Sequence, residues 1–279
     1  MQKLITPYAS DFGKPNIIIK HFPDTESYVQ ISQIDSLKNK EVTIYHRMYP
    51  EPEKRIFELL LIISRVKKQN GKIELFVPYL PYARQDRENK KGETVSADVL
   101  CGILKSYGVK KLITYDCHFL MKPGNFTRNG LKIENRSAGK QLMAYAKKYF
   151  GKNKFVVISP DEGSSYFIEN AQGHALQKTR KRNEEHGLET EIHKIEGKAD
   201  VKGKNVCILD DIIATGSTII HATKHLKSLG AKKIIVGATH GIFAGDRIIE
   251  KILRSSVNHI FITNAIPGND TSRVKILKL

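Results

Sequence analysis

Short apolar runs recur along the chain at residues 41–45, 73–77, 111–115, 155–158, 206–209, 234–238 and 259–263. They are rich in Val and Ile and nearly continuous in apolarity, the pattern of strands covered on both faces. Between them, residues 54–70, 96–107, 137–150, 218–229 and 245–255 carry apolar positions at helical spacing. Strand and helix alternate, which predicts an α/β architecture with mostly parallel sheets. Ligands of such sheets bind beyond the carboxyl ends of the strands, so the residues that follow each apolar run are the candidates for chemistry.

One stretch occurs twice. Leu104-Lys105-Ser106-Tyr107-Gly108-Val109-Lys110-Lys111-Leu112-Ile113 returns as Leu226-Lys227-Ser228-Leu229-Gly230-Ala231-Lys232-Lys233-Ile234-Ile235. Each copy reads as the end of an amphipathic helix, a Gly suited to a left-handed cap, two lysines and an apolar strand. Each strand then runs toward a histidine, His118 or His240. This points to duplication of one α/β unit and predicts two doubly wound domains. The cluster Pro123, Gly124, Asn125, Asn129 and Gly130 puts the expected boundary near residues 122–130, giving domains 1–127 and 128–279.

Composition narrows the class. Apolar residues make up 40% and charged residues 27%, which excludes bulk disorder. No run approaches the roughly 20 apolar residues that cross a bilayer, and Met1-Gln2-Lys3-Leu4 leads into a polar stretch instead of a signal-peptide core. A cytoplasmic protein without a membrane partner is expected. The cysteines Cys101, Cys117 and Cys207 lack Cys-x-x-Cys spacing and read as buried thiols. The net charge of +17 implies anionic partners. The charge does not say whether the phosphates belong to nucleic acid or to small metabolites, but the basic run Lys178-Thr179-Arg180-Lys181-Arg182 has no interleaved aromatics, which weakens a stacking-type nucleic-acid reading.

The sharpest element is Val206-Cys207-Ile208-Leu209-Asp210-Asp211-Ile212-Ile213-Ala214-Thr215-Gly216-Ser217-Thr218. An apolar strand delivers two carboxylates, and a small-residue loop then opens a helix. Thr215, Gly216, Ser217 and Thr218 offer hydroxyls and backbone N–H groups to one phosphate at the positive end of the helix dipole. Asp210 and Asp211 lie where the hydroxyls of an attached sugar would be. This element resembles the phosphoribosyl-binding signature shared by type I phosphoribosyltransferases and ribose-phosphate diphosphokinases. Ala214 stands where many versions carry a third acid, so no role passes to that position.

The first half separates the two families. In isolation Val77-Pro78-Tyr79-Leu80-Pro81-Tyr82-Ala83-Arg84-Gln85-Asp86-Arg87 would read as a solvated basic loop. It resembles the Tyr-Ala-Arg-Gln-Asp element of ribose-phosphate diphosphokinases, which implies ATP contacts by Arg84, Gln85 and Asp86. Arg84 offers a planar fork and Gln85 can pair with a base edge. Phe22-Pro23-Asp24-Thr25-Glu26 is similar to the family's Phe-x-Asp-Gly-Glu, implying that Phe22, Asp24 and Glu26 serve the adenine pocket of a neighbouring subunit. Thr25 replaces the usual Gly, and a β-branched residue does not reach positive φ freely.

Further segments fall in the family's order. Asp116-Cys117-His118 resembles its Asp-x-His, implying that His118 meets the Mg²⁺ carried by ATP, although Phe119-Leu120-Met121-Lys122 departs from the continuation. Ser159-Pro160-Asp161-Glu162-Gly163 is similar to its Ser-Pro-Asp-x-Gly, implying that Asp161 faces ribose phosphate and a second cation; oxygen ligands suit Mg²⁺. Lys178-Thr179-Arg180 matches its Lys-x-Arg, implying catalytic cations on a closing loop, and the stretch from Arg180 to Lys204 is polar enough for one. Ala238-Thr239-His240-Gly241-Ile242-Phe243 and Thr263-Asn264-Ala265-Ile266-Pro267 complete the series at later strand ends.

The resemblance covers residues 22 to 267. It implies two related doubly wound domains of type I phosphoribosyltransferase-like fold, the first binding ATP and the second ribose 5-phosphate, with Mg²⁺ as cofactor. The reaction would pass the β,γ-diphosphate of ATP to the ribose 1-hydroxyl, giving 5-phosphoribosyl 1-diphosphate and AMP. A segment lent across an interface implies a homodimer or a higher homo-oligomer such as a hexamer. The competing readings are a phosphoribosyltransferase, which needs no ATP element, and a catalytically inactive regulatory homologue.

Overall fold

A computed structural model of the chain describes residues 2–160, 166–167, 174–182, 190–196 and 200–279. The chain divides into two compact units, Met1–Arg136 and Ser137–Leu279. The first runs β1 (Gln2–Ile5), the hairpin β2 (Ile17–His21) and β3 (Ser27–Ile31), β4 (Glu41–Tyr45), helix α1 (Pro52–Lys67), β5 (Lys72–Phe76), helix α2 (Ser96–Ser106), β6 (Val109–Tyr115), β7 (Gly124–Arg128) and β8 (Leu131–Arg136). Its main sheet has the order β1-β4-β5-β6-β8-β7. All neighbours are parallel except β7, which folds back on β8.

The second unit runs α3 (Gly139–Phe150), β9 (Phe155–Ser159), β10 (His174–Ala175), β11 (Gln177–Arg182), β12 (Thr190–Glu196), β13 (Asn205–Ile213), α4 (Ser217–Ser228), β14 (Lys233–Gly241), α5 (Ile248–Arg254), β15 (His259–Thr263) and β16 (Val274–Leu277). Its main sheet, β10-β9-β13-β14-β15-β16, is parallel throughout. β11 and β12 form a separate antiparallel ribbon.

The duplicated sequence has the same structure in both copies. The buried residues of α2 are Ala97, Leu100, Cys101 and Leu104, and those of α4 are Ile219, Ala222, Thr223 and Leu226. These match position for position at the offset that separates Leu104 from Leu226. In each helix they recur at i, i+3, i+4 and i+7, one face of a 3.6-residue turn. Gly108 and Gly230 both adopt left-handed φ, +98° and +87°, and donate their N–H to the carbonyls of Lys105 and Lys227 at 3.0 and 2.9 Å. The strand that follows is fourth in its sheet both times.

Each unit has its own core. In the first, Leu59, Ile62, Ile63 and Val66 of α1 join Val42, Ile44, Leu75 and Leu112 of the sheet; in the second, Ile219 and Leu226 join Ile208, Val236 and Ile260. Each fully buried side chain of this size contributes about 1.5–3 kcal/mol. Close approach accounts for one strand glycine, since a Cβ on Gly237 would fall 2.4 Å from the Phe261 ring. All three thiols are buried, Cys101 and Cys117 in the first unit and Cys207 on β13. Burial pushes the Cys101 thiol up to about 11, and drives that of Cys207 upward as well.

The units part at Arg136, not at residue 127. The cluster read as a boundary instead spans the start of β7 and its turn into β8, where the loop Asn129-Gly130 has φ of +45° and +72°. Positive φ at both loop residues matches the right-handed twist of the flanking strands, so the segment pairs with β8 and stays with the first sheet.

Candidate functional site

Residues 77–95 leave the carboxyl end of β5, and residues 116–118 leave that of β6. The two segments are stitched at their roots. Val77 N–H donates to the Ile113 carbonyl at 2.9 Å, while Tyr115 N–H and Thr114 Oγ donate to the Pro78 carbonyl at 3.1 and 3.2 Å. Beyond this point the loop is fixed at several places. Tyr82, at φ +63°, donates its hydroxyl to Glu53 in the first turn of α1. Burial and that carboxylate push the Tyr82 phenol up to about 12, and the same hydrogen bond lowers the Glu53 carboxyl. Ser96 Oγ donates to Gln85 Oε1 at 2.6 Å, and Ala97 N–H donates to the Gln85 carbonyl at 3.2 Å. Asp86 pairs with Arg87 at 3.2 Å. Arg84, between these anchors, is exposed. His118 is half-buried, following Asp116, which is buried at φ +36°.

Phe22, Asp24 and Glu26 occupy the tip of the β2–β3 hairpin. Phe22 N–H donates to the Glu26 carbonyl and Thr25 N–H to the Phe22 carbonyl, both at 2.9 Å. Asp24 Oδ1 accepts the Glu26 N–H at 3.1 Å. Thr25 has φ +76°, so the turn keeps the left-handed conformation that a Gly would supply at no steric cost. Phe22 is 51% exposed and meets Tyr28 edge-on, at 5.9 Å between ring centroids.

In the second unit β13 runs on to Ile213, so Asp210 and Asp211 lie within the strand and not after it. Both are nearly buried, and Asp211 N–H donates to Asp210 Oδ1 at 2.9 Å. The loop beyond is held against the residues after β14. The Ile213 carbonyl accepts from Ile242 and Phe243 at 3.0 and 3.1 Å, and Ala244 N–H donates to the Ala214 carbonyl at 3.1 Å. Gly216, at φ +74°, then caps α4. Thr215 is exposed, Ser217 and Thr218 are half-buried at the helix start, and His221 Nδ1 donates to the Ser217 carbonyl at 2.8 Å. A left-handed cap followed by Ser217 and Thr218 leaves the helix N-terminus open to an anion.

Lys178 and Arg180 lie on β11, whose register with β12 shifts between Thr179 and Arg180. The polar stretch expected to be a loop thus contains a paired strand, Thr190–Glu196. Asp161 lies outside the described residues.

Two family patterns match the sequence. Residues 9–108 fit the N-terminal domain of ribose phosphate pyrophosphokinase, and residues 178–279 fit the phosphoribosyl synthetase-associated domain. The ribose-phosphate pyrophosphokinase of Thermococcus kodakarensis is 35% identical over 93% of this chain and 88% of its own length. The chain belongs to the ribose-phosphate pyrophosphokinase family. The ribose-phosphate pyrophosphokinase of Sulfurisphaera tokodaii is 34% identical over 94% of this chain and 89% of its own. A crystal structure of phosphoribosylpyrophosphate synthetase from Mycobacterium smegmatis superposes with a TM-score of 0.81 at 23% identity, covering 100% of this chain and 95% of that one. That likeness extends the family's α/β fold to both units. Sequence reasoning missed Tyr82, Ser96 and Arg128 as supports of the Arg84 loop. Only Arg128 carried a signal, its place beside the hairpin dipeptide Asn129-Gly130.

Proposed function

We propose that this chain transfers the β,γ-diphosphate of ATP to the 1-hydroxyl of ribose 5-phosphate, releasing AMP and 5-phosphoribosyl 1-diphosphate. The observation that carries this reading is the run from buried Asp210 and Asp211 into the left-handed Gly216 cap of α4, in a family member that also holds the Arg84-Gln85-Asp86 loop. Backbone N–H groups and hydroxyls of Thr215, Gly216, Ser217 and Thr218 hold the 5-phosphate, and Asp210 and Asp211 accept the ribose hydroxyls. Arg84, Gln85 and Asp86 hold ATP, with Phe22, Asp24 and Glu26 contributing to the adenine pocket of a second copy.

The ribose 1-oxygen bonds to the β-phosphorus as the bridging oxygen leaves with AMP, and the hydroxyl proton passes to solvent. Lys178 and Arg180 offset the charge that gathers on the transferring group. Positioning and charge neutralisation supply most of the rate in such transfers.

Mg²⁺ fits as an ion carried in on a polyphosphate. Among the described residues no cluster of three or more His, Cys, Asp or Glu could hold a metal. The half-buried His118 would supply one protein donor, and the remaining ligands of an oxygen-preferring Mg²⁺ would be polyphosphate oxygens and water. Asp161 would serve a second. When bound, the cation neutralises polyphosphate charge.

An exposed Phe22 beside Tyr28, itself 38% exposed, supports at least a homodimer. No helix among the described residues is long and apolar enough to cross a membrane, and we place the enzyme in the cytoplasm. Incubation with ATP, Mg²⁺ and ribose 5-phosphate should yield AMP in equal amount to 5-phosphoribosyl 1-diphosphate. Absence of both products, or base exchange without AMP, defeats the proposal.

A further inference from the structure

The Arg84 loop and the His118 segment leave neighbouring strands, and one side chain from the far edge of the same sheet touches both. Arg128 is the last residue of β7. Its Nε donates to Asp98 Oδ1 at 2.5 Å, and its Nη2 donates to the main-chain carbonyl of Asp86 at 2.6 Å. Its guanidinium lies 4.2 Å from the ring centroid of Phe119, the residue after His118. Asp98 belongs to the first turn of α2, where a carboxylate is favoured by the helix dipole.

We propose that Arg128 is a positioning residue of the nucleotide site, setting the direction in which Arg84 and Gln85 are presented and fixing the Phe119 ring beside His118. This inference rests on the reading of the Arg84-Gln85-Asp86 loop as the ATP-binding element. The loop is already pinned upstream, at Tyr82 by Glu53 and at Gln85 by Ser96. Arg128 pins its downstream side at Asp86, and Arg84 is left as the exposed side chain between the anchors.

The chemistry calls for arginine. A guanidinium presents donors in divergent directions within one plane and can lie over an aromatic ring. A lysine ammonium is a point charge and cannot serve a carboxylate, a carbonyl and a ring face together. The hairpin turn aims the group, because Asn129 at φ +45° donates its side-chain amide to the Asp98 carbonyl at 2.9 Å. Solvent reaches the Asp98 carboxylate, whose side chain is 41% exposed, and screens its pair with the Arg128 guanidinium, itself 19% exposed. A positioning role shows in the KM for one substrate, whereas a merely structural one moves both.

The test measures AMP formation by the full-length wild type, Arg128→Ala and Arg128→Lys while ATP and ribose 5-phosphate are varied in turn. Loss of charge-assisted hydrogen bonds should raise the KM for ATP about tenfold in Arg128→Ala, and the KM for ribose 5-phosphate should change less than about twofold. Arg128→Lys should recover little of the loss, and millimolar methylguanidine added to Arg128→Ala should restore part of it. An unchanged KM for ATP, an equal rise in both KM values, or full rescue by Lys overturns the inference. Should Arg128→Ala fail to fold, Arg128→Lys carries the same KM comparison. A wild type that makes no AMP defeats the functional reading, whereas an active wild type with indifferent variants defeats only the role of Arg128.

Discussion

Glu58, wholly buried on α1, lies 2.9 Å from Nε2 of His21, the residue that ends β2 and precedes Phe22. The same carboxylate takes Arg55 Nη1 at 3.0 Å and the Tyr8 hydroxyl at 3.3 Å. The hairpin that presents Phe22 is therefore tied to the first unit by a charged group inside α1. Removing one member of a buried charged network leaves the others uncompensated.

Glu58→Ala should accordingly cost about 3 kcal/mol. Hydrogen exchange at the amides of β2 and β3 should accelerate more than at those of β5 or β6. Uniform acceleration would show that Glu58 supports the unit generally and not the hairpin.

A Cβ on Gly216 would lie 2.9 Å from both Cδ1 and Cγ1 of Ile252, at a backbone φ of +74°. Gly216→Ala should lose about 2 kcal/mol from the strained backbone and crowded contact. It should also raise the KM for ribose 5-phosphate more than that for ATP. Equal KM effects in steady-state assays would detach this cap from the sugar phosphate.

Thr25 occupies left-handed backbone that costs a non-glycine residue about 1–2 kcal/mol. Thr25→Gly should stabilise the chain by about 0.5–1 kcal/mol after the extra entropy of an unfolded glycine is deducted. Urea unfolding should show a higher midpoint with an unchanged slope.

His46 is fully enclosed, its Nε2 donating to the Arg55 carbonyl at 2.9 Å and its Nδ1 3.3 Å from Thr6 Oγ. Burial lowers its pKa from an ordinary 6.5 to about 4. Between those values the unfolded chain holds the extra proton and the folded chain does not. Stability from this group is complete above pH 6.5 and falls as pH drops toward 4, by about 3 kcal/mol in total. Thermal unfolding across that range should show the slope, and His46→Gln should flatten it.

Much of the fold was legible because the sheets are buried on both faces. The apolar runs at 41–45 and 259–263 coincide with β4 and β15 to the residue. β7 and β8 were hidden by a cluster of turn residues that suggested a linker, although Asn129-Gly130 is a hairpin signature. β11 and β12 are polar and lack the period-two alternation that betrays a strand. Of the candidate site, the motif residues are named from their resemblance to the family's elements. Their supports could not be named so, since Arg128 acts across 30 residues to Asp98 and 42 to Asp86. Glu58 sits within the buried face of α1, and its partners Tyr8 and His21 lie 50 and 37 residues away in sequence, beyond the reach of local patterning.

The enclosure of the thiols turns the chain into its own recorder of breathing. A sulfur held out of water reacts with an alkylating reagent only during a transient opening. Because Cys101 and Cys117 lie in one unit and Cys207 in the other, the labelling rate of each sulfur times the excursions of its own half, with no introduced probe.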